Sequence, residues 1–142
     1  MKKNKSSKTW LQNQRRDVFF IKSKMSGYKS RSAYKLIEII TKFSLLNAKD
    51  NVLDLGSSPG GWSQVLAEKI VNGKVISVDL KLMDKIKNNI FIQGDFMDGE
   101  CQKKILSFVD ARIDGVFSDM ANNTTGNKSL DSFRTGSLCL ES

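Results

Sequence analysis

Four short apolar runs recur along the chain, each followed by a polar turn or a helical segment. They are NVLDLG from Asn51, KVISVDL from Lys74, NIFIQGDF from Asn89 and IDGVFSDM from Ile113. Runs of this length, closed by Gly or Asp, predict buried strands. Between them the apolar spacing changes to three and four residues. Ala33, Leu36, Ile37, Ile40 and Phe43 predict an amphipathic helix in YKSRSAYKLIEIITKF, with Ser30 or Ser32 as its N-cap and Lys35 off the apolar stripe. A second helix is expected over Trp62–Ile70. A third is expected over residues 99–109, with Ile105, Leu106, Phe108 and Val109 facing inward. Ahead of all these, Trp10, Leu11, Val18, Phe19, Phe20, Ile21 and Met25 suggest a helix with one apolar face, stopped at Ser26-Gly27. Residues 1–9 are polar and expected to lack structure. NNTTGNKS reads as a loop, and Leu130–Ser142 as the first turns of another helix. Strands alternating with helices imply βαβ units, a parallel sheet and an α/β fold. In such sheets ligands bind beyond the carboxyl ends of the strands.

Composition narrows the chemistry. The 142 residues suit one domain and contain no histidine, which excludes histidine-based nucleophilic triads and histidine-ligated metal. Cys101 and Cys139 form no Cys-x-x-Cys pair, so a reducing, cytoplasmic setting is expected. No apolar run approaches the roughly 20 residues of a membrane helix, and no apolar segment follows the basic N-terminus as in a secretory signal. The net charge of +8 is unevenly spread. Residues 1–50 carry 13 Lys/Arg and 3 Asp/Glu, whereas residues 51–142 carry 10 and 12. The chain therefore divides into a basic arm with its helices (1–50) and a near-neutral body (51–142). Such asymmetry points to a polyanion, with nucleic acid favoured over an anionic membrane surface; a solubilising tail is the plainer alternative.

The acidic residues form a pattern of their own. Asp54, Asp79, Asp95 and Asp119 each fall at or just after the end of a strand, implying a shared site along one sheet edge. One such Asp would mean little, because Asp also suits turns. The turn Asp54-Leu55-Gly56-Ser57-Ser58-Pro59-Gly60-Gly61-Trp62 has neither the P-loop nor the dinucleotide glycine spacing. An acid ahead of the glycines would repel a phosphate but suits the cationic end of S-adenosylmethionine. Asp79, 18 residues after Gly61, stands where a carboxylate accepts from ribose hydroxyls, and Asp95 could accept from an adenine amino group. The carboxylates fall one per strand, with no dense cluster to suggest a metal.

Four motifs then occur in order: Ser-Arg-Ser-Ala-Tyr-Lys-Leu (30–36), Asp-Leu-Gly-Ser-Ser-Pro-Gly-Gly-Trp-Ser-Gln (54–64), Gln-Gly-Asp-Phe (93–96) and Ser-Asp-Met-Ala-Asn-Asn (118–123). Together they resemble the FtsJ-like, RlmE-type ribosomal RNA ribose 2′-O-methyltransferases. The resemblance implies a Rossmann-like methyltransferase sheet, S-adenosylmethionine as donor, and a uridine 2′-hydroxyl of large-subunit ribosomal RNA as acceptor. By position, Gly60 and Trp62 match methionine-end contacts, Asp79 a ribose contact, Asp95 an adenine-side contact, and Asp119 a residue shared by cofactor binding and catalysis. Lys35 and Asp119 match the first two members of the family's Lys-Asp-Lys-Glu set. The second Lys, the proposed base, and the Glu belong to later strands of a seven-stranded sheet. Four strands are read here, so a sheet truncated after the fourth, weak donor binding and no measurable methyl transfer are expected of this chain. Asn122 stands where many members have Pro. Lys22, Lys24, Lys29 and Arg31, interleaved with Tyr28 and Tyr34, suit a structured RNA through phosphate contacts and base stacking; the tyrosines could equally just cover helix packing. A monomer acting on the large ribosomal subunit is expected. The competing expectations are a catalytically inactive RNA-binding remnant and a nucleotide-dependent oxidoreductase on the same fold.

Overall fold

A computed structural model describes residues 18–110 and 112–120. Helix α1 spans Val18–Met25 and α2 Ser32–Phe43. Strand β1 (Asn51–Leu55) leads into α3 (Gly61–Lys69), then β2 (Lys74–Asp79), β3 (Ile90–Gln93), α4 (Gly99–Ser107) and β4 (Gly115–Ser118). The strands form one parallel sheet in the order β3-β2-β1-β4. Leu53 lies opposite Ile76 on one side and Val116 on the other. The expected strands and alternation are thus present. The remainder of the Trp10–Met25 segment, residues 1–9, the 122–129 loop with Asn122, and Leu130–Ser142 lie outside the described residues.

Period-two alternation assigns each strand residue to one of two cores. Val52 and Val75 meet Ala33, Leu36 and Ile40 of α2 and Val65 and Leu66 of α3. Leu53, Leu55, Ile76, Val78 and Ile92 meet Cys101 and Ile105 of α4 on the other face. With both faces of the sheet covered, the strand centres are apolar without interruption, except at Asp54 and Ser77. Helix α2, although N-terminal to residue 50, belongs to the same core as the sheet. Its completely buried Leu36 contributes about 1.5–3 kcal/mol by burial alone.

Three local expectations are corrected. Neither Ser30 nor Ser32 caps α2, because their hydroxyls bond each other at 2.7 Å; Arg31 occupies the cap position in helical conformation without a side-chain cap. Leu106 is exposed rather than inward, because it lies about 100° round the helix from buried Ile105. Phe108 and Val109 pack against the core as expected, beyond the end of α4. In α1 no apolar face is buried: Val18, Phe19, Ile21 and Met25 are exposed and Ser23 is the buried residue. These apolar positions are spread round the helix instead of forming one stripe.

Candidate active site

The turn after β1 is held by backbone bonds to its neighbour. Gly56 and Ser57 both donate their N–H to the carbonyl of Val78, at 2.9 and 3.2 Å. Gly56 has φ +69, and a Cβ there would lie 2.1 Å from Cγ of Met120, so only glycine admits this packing. Asp79, at the end of β2, accepts from the N–H of Ser58 at 2.9 Å and of Lys81 at 2.8 Å. Each carboxylate oxygen keeps a further lone pair, so these bonds orient Asp79 without exhausting it. Asp95 is held likewise by the N–H of Met97 at 2.9 Å.

Asp79, Asp95 and Asp119 line one groove of about 480 Å³ with Gly56, Phe96 and Met120. The strand-end pattern therefore converges for three of its four acids. Asp54 departs from it: it lies within β1, 1% exposed, on the face covered by α3. Its Oδ2 accepts from Ser63 Oγ at 2.6 Å, Ser77 donates to Asn89 at 2.7 Å, and the two serine oxygens lie 2.8 Å apart. Burial pushes the Asp54 carboxyl up to about 7, against the lowering effect of the Ser63 bond, with Asp79 and Asp119 adding to the rise. Asp54 borders a smaller cavity of about 70 Å³ together with Ser57, Trp62 and Asp119. The Ser57 hydroxyl there is buried with no hydrogen-bond partner among the described residues.

Trp62 thus sits beside the groove, at the small cavity, with its indole N–H donating to the carbonyl of Ser32 at 2.9 Å. Gly60 borders neither space. At φ +111 it lies against the 80–89 loop, where a Cβ would come within 2.8 Å of Ile86. Lys35 projects from α2 to Asp119, Nζ to Oδ1 at 2.5 Å, and its ammonium lies 5.8 Å from the centre of the Trp62 ring. Residues 84 positions apart are joined by α2 packing over the sheet.

The basic residues of α1 and the following turn are not equivalent. Lys29 is committed to Asp84 at 2.8 Å, and its backbone N–H to Gln64 at 2.7 Å. Its ammonium holds the exposed Asp84 carboxyl below the usual range. Lys22 lies over the Tyr34 ring at 4.9 Å and Lys24 over Phe20 at 5.4 Å. Tyr28 meets Tyr34 edge-on at 5.7 Å and donates to Glu68 at 2.9 Å. Burial, then the Glu68 bond, push the Tyr28 hydroxyl up to about 12. The tyrosines are therefore engaged in helix packing. A further cavity of about 400 Å³ brings residues of the first and last motifs together with Phe19 and Glu38, which no motif signalled. It joins Phe19, Arg31, Tyr34, Lys35, Glu38 and Asp119.

Fold and site together define a class: an α/β protein whose parallel sheet opens at its carboxyl edge on an acidic groove, with a lysine–aspartate pair at the rim. The family described as FtsJ-like methyltransferase matches residues 28–142, and the chain belongs to that family. It is 48% identical, over 99% of its length, to the ribosomal RNA large subunit methyltransferase E of Pelagibacter ubique, and spans 70% of that protein. Its counterpart from Rickettsia africae is 41% identical over 97% of this chain, which spans 63% of that relative. A crystal structure of a ribosomal RNA methyltransferase from Plasmodium falciparum superposes with a TM-score of 0.70 at 38% identity, covering 80% of this chain and 68% of that one. Among the described residues no helix is long and apolar enough to cross a membrane.

Proposed function

We propose that this chain carries the donor-binding half, and the first two catalytic residues, of an S-adenosylmethionine-dependent methyltransferase acting on a ribose 2′-hydroxyl of large-subunit ribosomal RNA. The observation that carries the reading is the Lys35–Asp119 pair at 2.5 Å, with Asp119 also lining the acidic groove. The residues present fit the donor. Asp79 would accept from its ribose hydroxyls and Asp95 from its adenine amino group, against Phe96 and Met120. The small cavity, with Trp62, Asp119 and the unpartnered Ser57 hydroxyl, suits its polar, cationic end. Gly60 shapes the turn from outside that space. Bound there, the sulfonium group supplies an electrophilic methyl.

The chain's own contribution is alignment and charge. A ribose hydroxyl is a very weak acid, so a nearby cation helps its oxygen lose a proton. Asp119 holds the Lys35 ammonium in place for that task, and alignment of the acceptor lowers the barrier further. Lys22, Lys24 and Arg31 would meet RNA phosphates, with Lys29 a strut to Asp84. The basic arm (1–50) would serve RNA, and 51–142 would form the donor half of the catalytic domain. A cytoplasmic monomer acting on the large ribosomal subunit completes the reading.

Calorimetry with S-adenosylmethionine and with NAD tests it first. Binding of the former alone is expected, while preference for NAD would sink the proposal in favour of a nucleotide-dependent oxidoreductase. Labelled methyl transfer to isolated large subunits, with the Pelagibacter relative as positive control, then measures how much chemistry this chain performs. Lys35→Ala should leave the donor affinity unchanged; a large loss would reassign Lys35 to donor binding.

A further inference from the structure

Four polar side chains link β1, α3, β2 and the loop ahead of β3. Asp54 Oδ2, Ser63 Oγ, Ser77 Oγ and Oδ1 of Asn89 stand 2.6, 2.8 and 2.7 Å apart in turn, all hydrogen-bond distances. Asp54, Ser63 and Ser77 are at most 1% exposed. Three contacts need three hydrogens, and the two serines supply one each. The third can come from either end. With a proton on Asp54, each group donates in turn toward Oδ1 of Asn89. The other source is the Asn89 amide, whose Nδ2 is buried with no hydrogen-bond partner among the described residues. Turned over, the amide donates to Ser77, Ser77 to Ser63, and Ser63 to an ionised Asp54. The two forms run in opposite directions and differ by the charge of one carboxyl.

Charge at the small cavity decides between them. The charged groups facing Asp54 are Asp79 at the end of β2 and Asp119 beyond β4, the latter paired with Lys35 of α2. From α3 it meets Ser63, because Glu68 and Lys69 are exposed; Lys81, Asp84, Lys85 and Lys87 of the 80–89 loop are exposed too, with Asp84 taken by Lys29. With the site empty, burial and then the two facing carboxylates push the Asp54 carboxyl up to about 7, which favours the protonated form. Asp54 borders the small cavity, and a cation placed there tips the balance, because an opposite charge within a few ångströms favours the carboxylate. We propose that the cationic end of the donor binds with Asp54 ionised, its proton leaving to solvent, and that Ser63, Ser77 and Asn89 are positioning residues that reverse direction to hold that form. The inference rests on the donor reading of the small cavity.

The test is calorimetry of S-adenosylmethionine binding to the whole chain between pH 6 and 8, in buffers of different ionisation enthalpy so that released protons are counted. The donor's own α-amino group titrates near this range, so the quantity read is the difference between the unchanged chain and Asp54→Asn. Beyond what Asp54→Asn shows, the unchanged chain should bind about five- to tenfold more weakly at pH 6 than at pH 8, with extra proton release near neutral pH. Asn89→Leu keeps the bulk without the amide and should weaken binding more at pH 8 than at pH 6; a packing role would weaken it equally at both. A second measurement needs no variant. In spectra of the unchanged chain the side-chain amide of Asn89 should shift in step with the Asp54 carboxyl carbon, and donor should carry both steps to lower pH. Should Asp54→Asn fail to fold, these spectra decide alone. If the donor binds with one pH profile in the unchanged chain and Asp54→Asn, or the Asn89 amide stays still while Asp54 titrates, the proposal is overturned and the donor reading stands. If the donor binds at no pH in the range, the donor reading of the cavity falls and the proposal with it.

Discussion

The acidic groove and the Phe19 cavity touch the same carboxylate, Asp119, but are built by different means. The groove is made at strand ends. Its Asp79 and Asp95 are aimed by backbone N–H groups of adjacent turns, and those turns hang from a sheet whose strand centres are almost wholly buried. The cavity is made by long side chains on two helices, and α1 buries little of its apolar surface. Backbone-held groups keep their geometry because the sheet would have to open to move them, whereas helix side chains are placed only by their neighbours.

The strongest way to break this comparison is to attack the anchor of the helical side. Leu36→Ala removes a completely buried side chain from between α2, α3 and the sheet, and should cost about 2–5 kcal/mol in urea unfolding. Ile21→Ala on exposed α1 should stay within about 0.5 kcal/mol. Equal losses at the two positions would mean that α1 is as firmly seated as α2.

The sheet side can be probed through Asp54. Its carboxyl lies near 3.8 when unperturbed and at about 7 in the fold, so the folded state favours the protonated form. Stability from this group is therefore fully present below about pH 4, declines as pH rises, and is lost once pH passes about 7. The swing should be on the order of a few kcal/mol, and Asp54→Asn should flatten it. Unfolding midpoints followed from pH 4 to 8 decide the matter; the same slope in both proteins would exonerate Asp54.

A smaller effect separates the two walls functionally. Asp79→Ala should weaken S-adenosylmethionine binding by about 1.5–3 kcal/mol, the range for a hydrogen bond to a charged group, and leave RNA affinity alone. Were RNA affinity to fall in parallel, donor and RNA would bind as one coupled unit. The smallest effect concerns single cations. Lys24→Ala should lower the slope of log affinity for RNA against log salt by just under one unit. Lys29→Ala should not change it, because Asp84 already neutralises that ammonium. Matching slope changes at both would show that the Lys29–Asp84 pair opens when RNA binds.

Much of the fold was legible because the signals are local. The four apolar runs became β1 to β4, and the stripe of Ala33, Leu36 and Ile40 became the buried face of α2. The segment around Phe19 and Ile21 misled because neighbouring apolar residues satisfy a helix composition without a helix period. Leu106 misled for a related reason: one residue's rotation carries a side chain from the core to solvent. The site was partly legible. A carboxylate at a strand end is visible in sequence, and Asp79, Asp95 and Asp119 do meet. Motif singled out Gly60, and charge singled out Lys29, without indicating which residues would surround them. Their actual neighbours, Ile86 and Asp84, come from a loop with no strong pattern.

What the sequence determined by itself is the order of elements, the two-residue and three-to-four-residue periods that make them, the glycines and acids of the β1 turn, and the charge imbalance between its two parts. Only the tertiary structure decided that Asp54 would be enclosed beneath α3 while Asp79 faces the groove, that Lys29 would meet Asp84 and Lys35 Asp119, and that Phe19 would line a cavity beside them. The physical reason is range. Periodicity and turn chemistry act over a few bonds, whereas burial and ion pairing depend on which surfaces meet after the chain has closed loops of 55 and 84 residues.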